Sequence, residues 1–489
     1  MAEITRRGFL QTGAAGLAAA SASAAERPNV LLVMTDQHRW DALGCYGNPA
    51  IRTPHIDSLA ATGTRFTECW AQHPVCMPSR ASIFTGRYPH VHGVRSNGVP
   101  LPRDEVTLAQ VFAENGYRTG GAGKFHFIPH YPYRSPLPTM ETHPGPYYGF
   151  QEFHLGEDGR SGEHWQWIKQ HHPEYDGKPD HEIPPEIHNS SWTASHTIEF
   201  IRGSASRRQP FFAFCSFVDP HHSYNPPAPY NTMYKEADMP APFLKEGEHD
   251  GKPDFIQQRL AGERANMRRV AYNRAQYYGE VSLIDDSVGR VLKALDESGL
   301  RDNTLIVFMT DHGDLLGDHY LYTKGPLHYR GCANLPLIVN WPGRVKSGKV
   351  AGGLMQSIDL FPTISELAGL PRAPGVQGRS QDPVLTTDSQ DTGYSSVLIE
   401  SLIAGEDSPG LEAPWSYPDV CTLKTSRWRM SYYPTEDYGE LYDNDADPRE
   451  YTNLWRQPGL EKVKQDLKDE LLTRVVQSRD PLPVRINRY

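Results

Sequence analysis

Two apolar segments of seven residues constrain the fold of this chain more than any other feature of its sequence. Residues 29–35 (NVLLVMT) and 304–310 (TLIVFMT) are each followed by an aspartate, Asp36 and Asp311. Segments without polar alternation are typical of strands that are buried on both faces of a parallel sheet. Two further segments have the same pattern: 210–217 (PFFAFCSF) and 335–341 (LPLIVNW).

Helical patterns lie between these segments. Apolar residues keep helical spacing between residues 277 and 295, with Gly299 as a C-cap, and over residues 108–112, before Gly116. This alternation predicts an α/β fold, with a large, mostly parallel sheet sandwiched by helices. In such sheets the polar residues that build a site follow the carboxyl ends of strands, which is where both aspartates stand.

The chain divides into segments of different composition. We predict a catalytic α/β domain over residues 26–370, in which residues 131–195 lack periodicity and form a loop-rich insertion near the site. A polar, Pro/Gly-rich linker at 371–393 leads to a smaller C-terminal α+β subdomain, 394–489, with an antiparallel sheet that includes residues 428–433. A terminal helix with one apolar face packs on that sheet: Leu460, Val463, Leu467, Leu471 and Val475.

The N-terminal residues have the composition of an export signal. Arg6 and Arg7 precede a short apolar segment, residues 14–20, and Ala22-Ser23-Ala24 offers a cleavage site. The paired arginines resemble a twin-arginine signal, which we assign to residues 1–25. We therefore expect a bacterial protein that is periplasmic or secreted. No later apolar segment approaches membrane length, so we predict no membrane span.

Charge and cysteine content argue against several classes of protein. Lys and Arg total 49 and Asp and Glu total 59, which gives a net charge of −10. General binders of nucleic acid or anionic membranes usually need excess positive charge. Six cysteines in 489 residues are too few for a disulfide scaffold.

One cysteine has an unusual context. Cys76 lies in PVCMPSRASIFTGR, where Pro78 suits the first turn of a helix that continues through Ile83. The amides and positive dipole end of such a helix would favour an anion near Cys76, and Arg80 adds a charge one turn on. These residues predict a cysteine-based anion site about as strongly as a packing role.

These residues resemble the signature of the type I sulfatase family, within the alkaline-phosphatase-like superfamily. The motif C-x-P-S-R, extended by A-S-x-x-T-G, is present from Cys76 to Gly86, and further similarity extends to the terminal helix. Other matching segments are TPHID at 53–57, TDHGD at 310–314 and ELYD at 440–443. The resemblance implies hydrolysis of sulfate esters. It also implies that a formylglycine-generating enzyme converts Cys76, before folding, to formylglycine, whose hydrated aldehyde is the nucleophile.

A metal site is expected at the two strand ends. Hard divalent cations prefer oxygen ligands, and Asp36 with Gln37 and Asp311 with His312 follow the two seven-residue segments. The resemblance assigns these four residues, with an oxygen from residue 76, to one divalent ion, commonly calcium. Many members have Asp-Asp and Asp-Asn at these positions. Gln37 and His312 therefore leave manganese and magnesium as alternatives.

Four more residues take roles from the resemblance. Lys124 and Lys324 correspond to clamps on the sulfate oxygens, and alternation in GKFH puts Lys124 and His126 on one face of an extended segment. His126 corresponds to the base that releases sulfate, and His221 to the acid at the leaving oxygen. Because Ser223 stands where the family often has proline, His222 is a rival to His221.

The substrate is less constrained. Tryptophans in the insertion favour a sulfated glycan, since sugar rings stack on aromatic faces. A phosphonate monoester, a phosphodiester and choline sulfate are alternatives within the superfamily, and a catalytically dead glycan-binding protein is the alternative outside enzymes. We interpret six histidines of the insertion as solvated loop residues, with substrate contact as the alternative: His164, His171, His172, His181, His188 and His196. Four residues near the second metal motif could support the ligands: Asp314, Asp318, His319 and His328.

Overall fold

A computed structural model describes residues 27–129, 145–158, 162–402 and 418–483. The predicted export signal, residues 1–25, lies outside these described residues. Among the described parts of the chain, no helix combines the length and the hydrophobicity that crossing a membrane requires.

A nine-stranded sheet forms the centre of the molecule. Its strands are β1 Asn29–Thr35, β2 Thr64–Trp70, β3 Arg118–Gly123, β4 Glu152–Leu155, β5 Phe211–Ser216, β6 Thr304–Thr310, β7 Asn334–Asn340, β8 Lys349–Ala351 and β9 Met355–Gln356. The order is β4-β3-β5-β1-β6-β7-β2-β8, with β9 also paired to β2. The strands are parallel except β7, which is antiparallel to β6 and β2.

The orientation of β7 corrects one expectation. Residues 335–341 matched the pattern of the parallel strands, but β7 is reversed. Every residue of β7 is buried, like every residue of β1 and β6. A continuous apolar pattern reports burial on both faces of a sheet and carries no information on strand direction.

Helices cover both faces of the sheet. The helices of the described residues are α1 Pro54–Ala61, α2 Cys76–Thr85, α3 Pro89–His92, α4 Leu108–Glu114, α5 Glu163–His171, α6 Asn189–Arg207, α7 Asp254–Met267, α8 Val270–Glu297, α9 Arg330–Ala333, α10 Leu360–Leu367, α11 Asp382–Thr386 and α12 Glu461–Gln477. Alternate residues of β1 enter different cores: Leu32 and Met34 pack with α2 and α4, whereas Leu31 and Val33 pack with α6 and α8. The mostly parallel, helix-covered sheet is therefore confirmed.

A second, four-stranded antiparallel sheet lies near the C-terminus, as predicted. Its strands are β10 Ser396–Ser401, β11 Val420–Thr425, β12 Trp428–Tyr433 and β13 Tyr438–Asp443. Helix α12 packs on β10 and β11 through Leu467 and Leu471. Val475 was expected on the same face but is 40% exposed. Helical spacing shows which residues share one face of a helix, but not how much of that face the neighbouring sheet covers.

Two segments contain more structure than their sequence indicated. Of the predicted loop-rich insertion, 131–195, the described residues include β4, α5 and the start of α6. Helix α5 is held by a small cluster in which Trp165, Ile168 and Ile183 are buried. The predicted linker, 371–393, contains α11, whose Val384 and Leu385 lie in the main core. Both segments have few apolar residues, so a few buried side chains hold them in place without producing a clear hydrophobic period.

Candidate functional site

The two strand-end aspartates leave the same edge of the sheet. Strands β1 and β6 are parallel neighbours with Thr35 opposite Thr310. Asp36 and Asp311 follow these residues and are fully buried. The backbone nitrogen of Gln37 donates to Asp311 Oδ1 (3.2 Å), and Gln37 has a left-handed φ of 63°. The parallel register thus brings both predicted ligand pairs together.

Cys76 begins helix α2 and faces these strand ends. Ligand atoms of Asp36, Cys76, Asp311 and His312 all lie within 4.8 Å of one another, and we call these four residues the edge cluster. The cysteine Sγ is 3.1 Å from His312 Nε2 and 3.7 Å from Asp36 Oδ1. His312 Nδ1–H donates to the carbonyl of Gly313 (2.9 Å), so the Nε2 lone pair faces the cluster. Two carboxylates and an imidazole lone pair fit a divalent cation.

Arg80 joins the two carboxylates. Its Nε donates to Asp311 Oδ2 (2.7 Å) and one terminal nitrogen donates to Asp36 Oδ2 (3.1 Å). The other terminal nitrogen donates to the Lys124 carbonyl and to Ser216 Oγ. Helix α2 is buried along its whole length, so this guanidinium is held without solvent. Buried charges of this kind persist only when they are fully paired.

Lys124 lies beside the edge cluster just after β3. Its Nζ is 2.9 Å from Asp36 Oδ2, 2.5 Å from Asp158 Oδ2 and 4.0 Å from Cys76 Sγ. We expected residues 124–126 to be extended, with Lys124 and His126 on one face. This expectation is wrong, because β3 ends at Gly123 and His126 has a φ of 52°. The backbone nitrogen of His126 donates to Glu157 Oε1 (2.9 Å).

His221 and Lys324 form the opposite side of the site. Lys324 Nζ lies 2.5 Å from His221 Nε2 and donates to Gln37 Oε1 (2.7 Å). His221 Nδ1–H donates to the carbonyl of His222 (2.8 Å), so its Nε2 is the nitrogen that faces Lys324. The rival, His222, is also present: its Nδ1 is 3.1 Å from Gln37 Nε2, and its ring stacks on His221 at 4.1 Å.

Charges in the site shift several pKa values. Burial alone would raise the pKa of Asp36, but Lys124, His221 and Arg80 hold it well below its ordinary value. Burial would likewise raise the pKa of the Cys76 thiol, yet Lys124 and Lys324 outweigh it and bring the pKa below normal. Burial and then the two lysines hold the pKa of His221 well below 6.5. The site therefore favours negative charge at residues 36 and 76.

Two carboxylates of the site were missed by the sequence analysis. Glu157 accepts hydrogen bonds from the backbone nitrogens of residues 125 and 126, and Asp158 pairs with Lys124. Both follow β4, which is parallel to β3, so they leave the same edge of the sheet as Asp36. The strand-end rule would have found them, but residues 152–155 had been assigned to a loop.

The four residues that were predicted to support the metal ligands differ in whether they contact one. Asp314 accepts from Gln37 Nε2 (2.5 Å) and thus contacts a predicted ligand. The other three have structural partners away from the cluster: Asp318 pairs with Arg39 and Arg274, His319 with Glu248, and His328 with Ser401 and Thr422.

A cavity of about 400 Å³ adjoins the site. Its lining residues are Glu157, Asp158, His164, Trp165, Pro179, Asp180, Ile183, His188, Asn189, Val218, Asp219, His221, His222, Ser223 and Asn225. Two of the insertion histidines expected in solvent, His164 and His188, are instead buried in its wall. His164 Nε2–H donates to the carbonyl of Ile187 (2.9 Å), and burial lowers its pKa to about 4.

Comparison with known proteins gives one consistent family. The family model described as Sulfatase matches residues 28–370, and one described as N-sulphoglucosamine sulphohydrolase, C-terminal, matches residues 317–477. The chain is 29% identical to an arylsulfatase of Clostridium perfringens, over 88% of this chain and 90% of that protein. It is 24% identical to an N-acetylglucosamine-6-O-sulfatase of Bacteroides thetaiotaomicron, over 90% and 85% of the two chains. The structure of a phosphonate monoester hydrolase of Agrobacterium radiobacter is similar with a TM-score of 0.82, 26% identity and coverage of 94% and 97%.

Proposed function

We propose that this chain, which belongs to the sulfatase family and is a sulfuric ester hydrolase, releases sulfate from a sulfated glycan with a formylglycine made from Cys76 and a bound divalent cation. The edge cluster supports this proposal most, because its C-x-P-S-R cysteine lies within 4.8 Å of Asp36 from the first strand-end pair and of both residues of the second pair, Asp311 and His312. The glycan is supported by the similarity to an N-acetylglucosamine-6-O-sulfatase and by Trp165 in the adjoining cavity. We further propose that residues 1–25 direct export by the twin-arginine route.

The cation would be held by Asp36, Gln37, Asp311 and His312, with an oxygen of residue 76. It would supply positive charge that stabilises the sulfate oxygens as charge develops on them. Calcium is our first choice, but the imidazole nitrogen of His312 suits manganese better than calcium. Arg80 pairs with both carboxylates and so holds them next to each other.

The remaining side chains either bind sulfate or transfer protons. Lys124 and Lys324 would bind the sulfate oxygens from opposite sides. Burial first, and then the same lysines, lower the pKa of His221, and a bound sulfate anion would offset the charge of the lysines and so favour protonation of His221. His221 Nε2 then donates that proton to the leaving alcohol. Formylglycine supplies two geminal hydroxyl groups, one to attack sulfur and one whose deprotonation, by His126, expels sulfate.

The modification is tested by the mass of the tryptic peptide from Phe66 to Arg80, taken from protein recovered in its exported fraction. An aldehyde or its hydrate in place of the thiol supports the mechanism. An intact thiol in every molecule contradicts it and favours the glycan-binding alternative. Sulfate release from a panel of sulfated oligosaccharides then identifies the glycan.

Phosphonate monoester or phosphodiester hydrolysis is a second candidate. It is favoured by Gln37 and His312 at the ligand positions and by the similarity in fold to a phosphonate monoester hydrolase. Parallel assays with 4-nitrophenyl sulfate and a 4-nitrophenyl phosphonate separate the two, because the leaving group is the same. A larger kcat/KM for the phosphonate would make it the principal activity.

A further inference from the structure

The cavity beside the site is the feature of the molecule that the proposed chemistry leaves unused. His221 and Asp158 line the end of the cavity next to the site, where His221 contacts Lys324 and Asp158 contacts Lys124. The rest of the wall comes from residues 164–189 and 218–225. A volume of about 400 Å³ falls within the range of about 300–1,000 Å³ that is typical of small-molecule sites. An alcohol whose oxygen lies at His221 would extend into this space.

The outer wall carries two carboxylates that face the cavity. Asp219 is buried, accepts a hydrogen bond from Ser190 Oγ and lies 3.6 Å from His188 Nδ1. Asp180 is half-buried, in a short 3-10 helix, Asp180–Glu182. Asp219 and Asp180 both line the cavity, so the two carboxylates act on the same space.

Apolar and amide groups complete the wall. Trp165 and Ile183 pack against each other and present buried hydrocarbon and aromatic surface, while Asn225 lies across the cavity. Aromatic surface beside carboxylate and amide oxygens binds a ring that bears hydrogen-bond donors. A carboxylate at this position attracts hydroxyl and ammonium groups and repels a second anion.

We propose that this cavity binds the alcohol part of the substrate and that Asp180 selects alcohols bearing hydroxyl or ammonium groups over alcohols bearing a second anionic group. The inference rests on the proposed sulfate-ester hydrolysis. It narrows the substrate to a glycan unit whose ring, apart from the ester that is cleaved, is neutral or carries an amine.

Three aryl sulfates of similar size test the inference on the formylglycine-bearing protein. They are phenyl sulfate, 4-(aminomethyl)phenyl sulfate and 4-carboxyphenyl sulfate. The informative quantity is the ratio of kcat/KM for the cationic ester to that for the anionic ester. Comparing this ratio between variants cancels the different reactivities of the leaving groups.

Asp180→Asn should lower this ratio at least about fivefold, and Asp180→Lys should lower it further, because a charge is removed and then reversed. The matched control is Asp176→Asn, which makes the same charge change at an exposed residue that does not line the cavity. It should leave the ratio at the wild-type value. Thermal midpoints near that of the wild type establish that the variants are folded.

The outcomes separate this inference from the proposed function. If the wild type, Asp180→Asn and Asp180→Lys hydrolyse all three esters with the same kcat/KM ratio of cationic to anionic ester, Asp180 does not select the substrate. The proposed sulfate-ester hydrolysis is then unaffected. If the wild type releases sulfate neither from the three esters nor from any sulfated oligosaccharide, the proposed function is overturned, and the inference with it. If it cleaves oligosaccharides only, the same ratio is measured between an amino sugar sulfate and a uronic acid sulfate.

Discussion

The edge cluster and the wall of the adjoining cavity are built in different ways. Each residue of the edge cluster follows a strand or begins a helix, and none is more than 1% exposed. The cavity wall draws on turns, loops and the first residues of α5 and α6, and Asp180 and Asn225 in it are half-buried. The first region is fixed by the sheet, whereas the second depends on short segments that can change without disturbing the sheet. In the proposed function, the edge cluster therefore carries the chemistry and the cavity wall carries the choice of substrate.

The strongest way to break the edge cluster is to remove its nucleophile. Cys76→Ala should lower kcat at least about 10⁴-fold for every ester, because no other side chain can replace the formylglycine. The fold should be retained, since alanine fits where the cysteine is buried. Turnover is measured as sulfate release and folding by circular dichroism. Near-normal turnover would overturn the mechanism, and the edge cluster would then no longer be the region that carries the chemistry.

Two adjacent histidines, His221 and His222, line the cavity and also contact residues of the site. His221→Ala should lower kcat about 10²–10⁴-fold for an alkyl sulfate, which needs a proton on its leaving oxygen. The loss should be much smaller for 4-nitrophenyl sulfate, whose leaving group is stable as an anion. His222→Ala is the matched control, because His222 contacts Gln37 whereas Lys324 faces His221. A larger leaving-group dependence in His222→Ala would transfer the role of acid to His222.

The identity of the proposed cation can be tested at His312 of the edge cluster. His312→Asn replaces a nitrogen ligand by an amide oxygen, so affinity for manganese should fall at least about tenfold and affinity for calcium should fall less. The measurement is the thermal midpoint of chelator-treated protein titrated with each ion. Equal losses for both ions would indicate that His312 is not a ligand. The aryl sulfate charge ratio should not change, because the cavity wall is intact.

The smallest effect on turnover is expected from the cavity wall, at His164. Its pKa is about 4 in the folded protein, against 6.5 in the unfolded chain, so protons favour unfolding. The stability that the neutral ring contributes is present above pH 6.5 and is lost as pH falls towards 4, by up to about 3 kcal/mol. His164→Gln should flatten this part of the pH dependence of the free energy of unfolding, measured in urea. His171→Gln, at an exposed position on the same helix, should retain the wild-type slope.

The motif-bearing residues were predictable because each is tied to a local pattern. The apolar segments before Asp36 and Asp311 predicted two strands, and the parallel pairing of those strands is confirmed. The same rule applied to β4 would have found Asp158, but four residues of strand are too short to produce a recognisable period. The prediction that His164 and His188 are solvated is wrong, because their burial depends on the packing of α5 and of loops, which no local pattern indicates.

The sequence by itself determined the family, the α/β fold and the side chains of the edge cluster, because these follow from local hydrophobic patterns and one specific motif. The tertiary structure alone decided the reversal of β7, the pairing of Arg80 with two carboxylates and the cavity that contains Asp180. Each of these depends on contacts between residues far apart in the chain. Local patterns report whether a residue is buried, but only the packed chain sets which residue it meets.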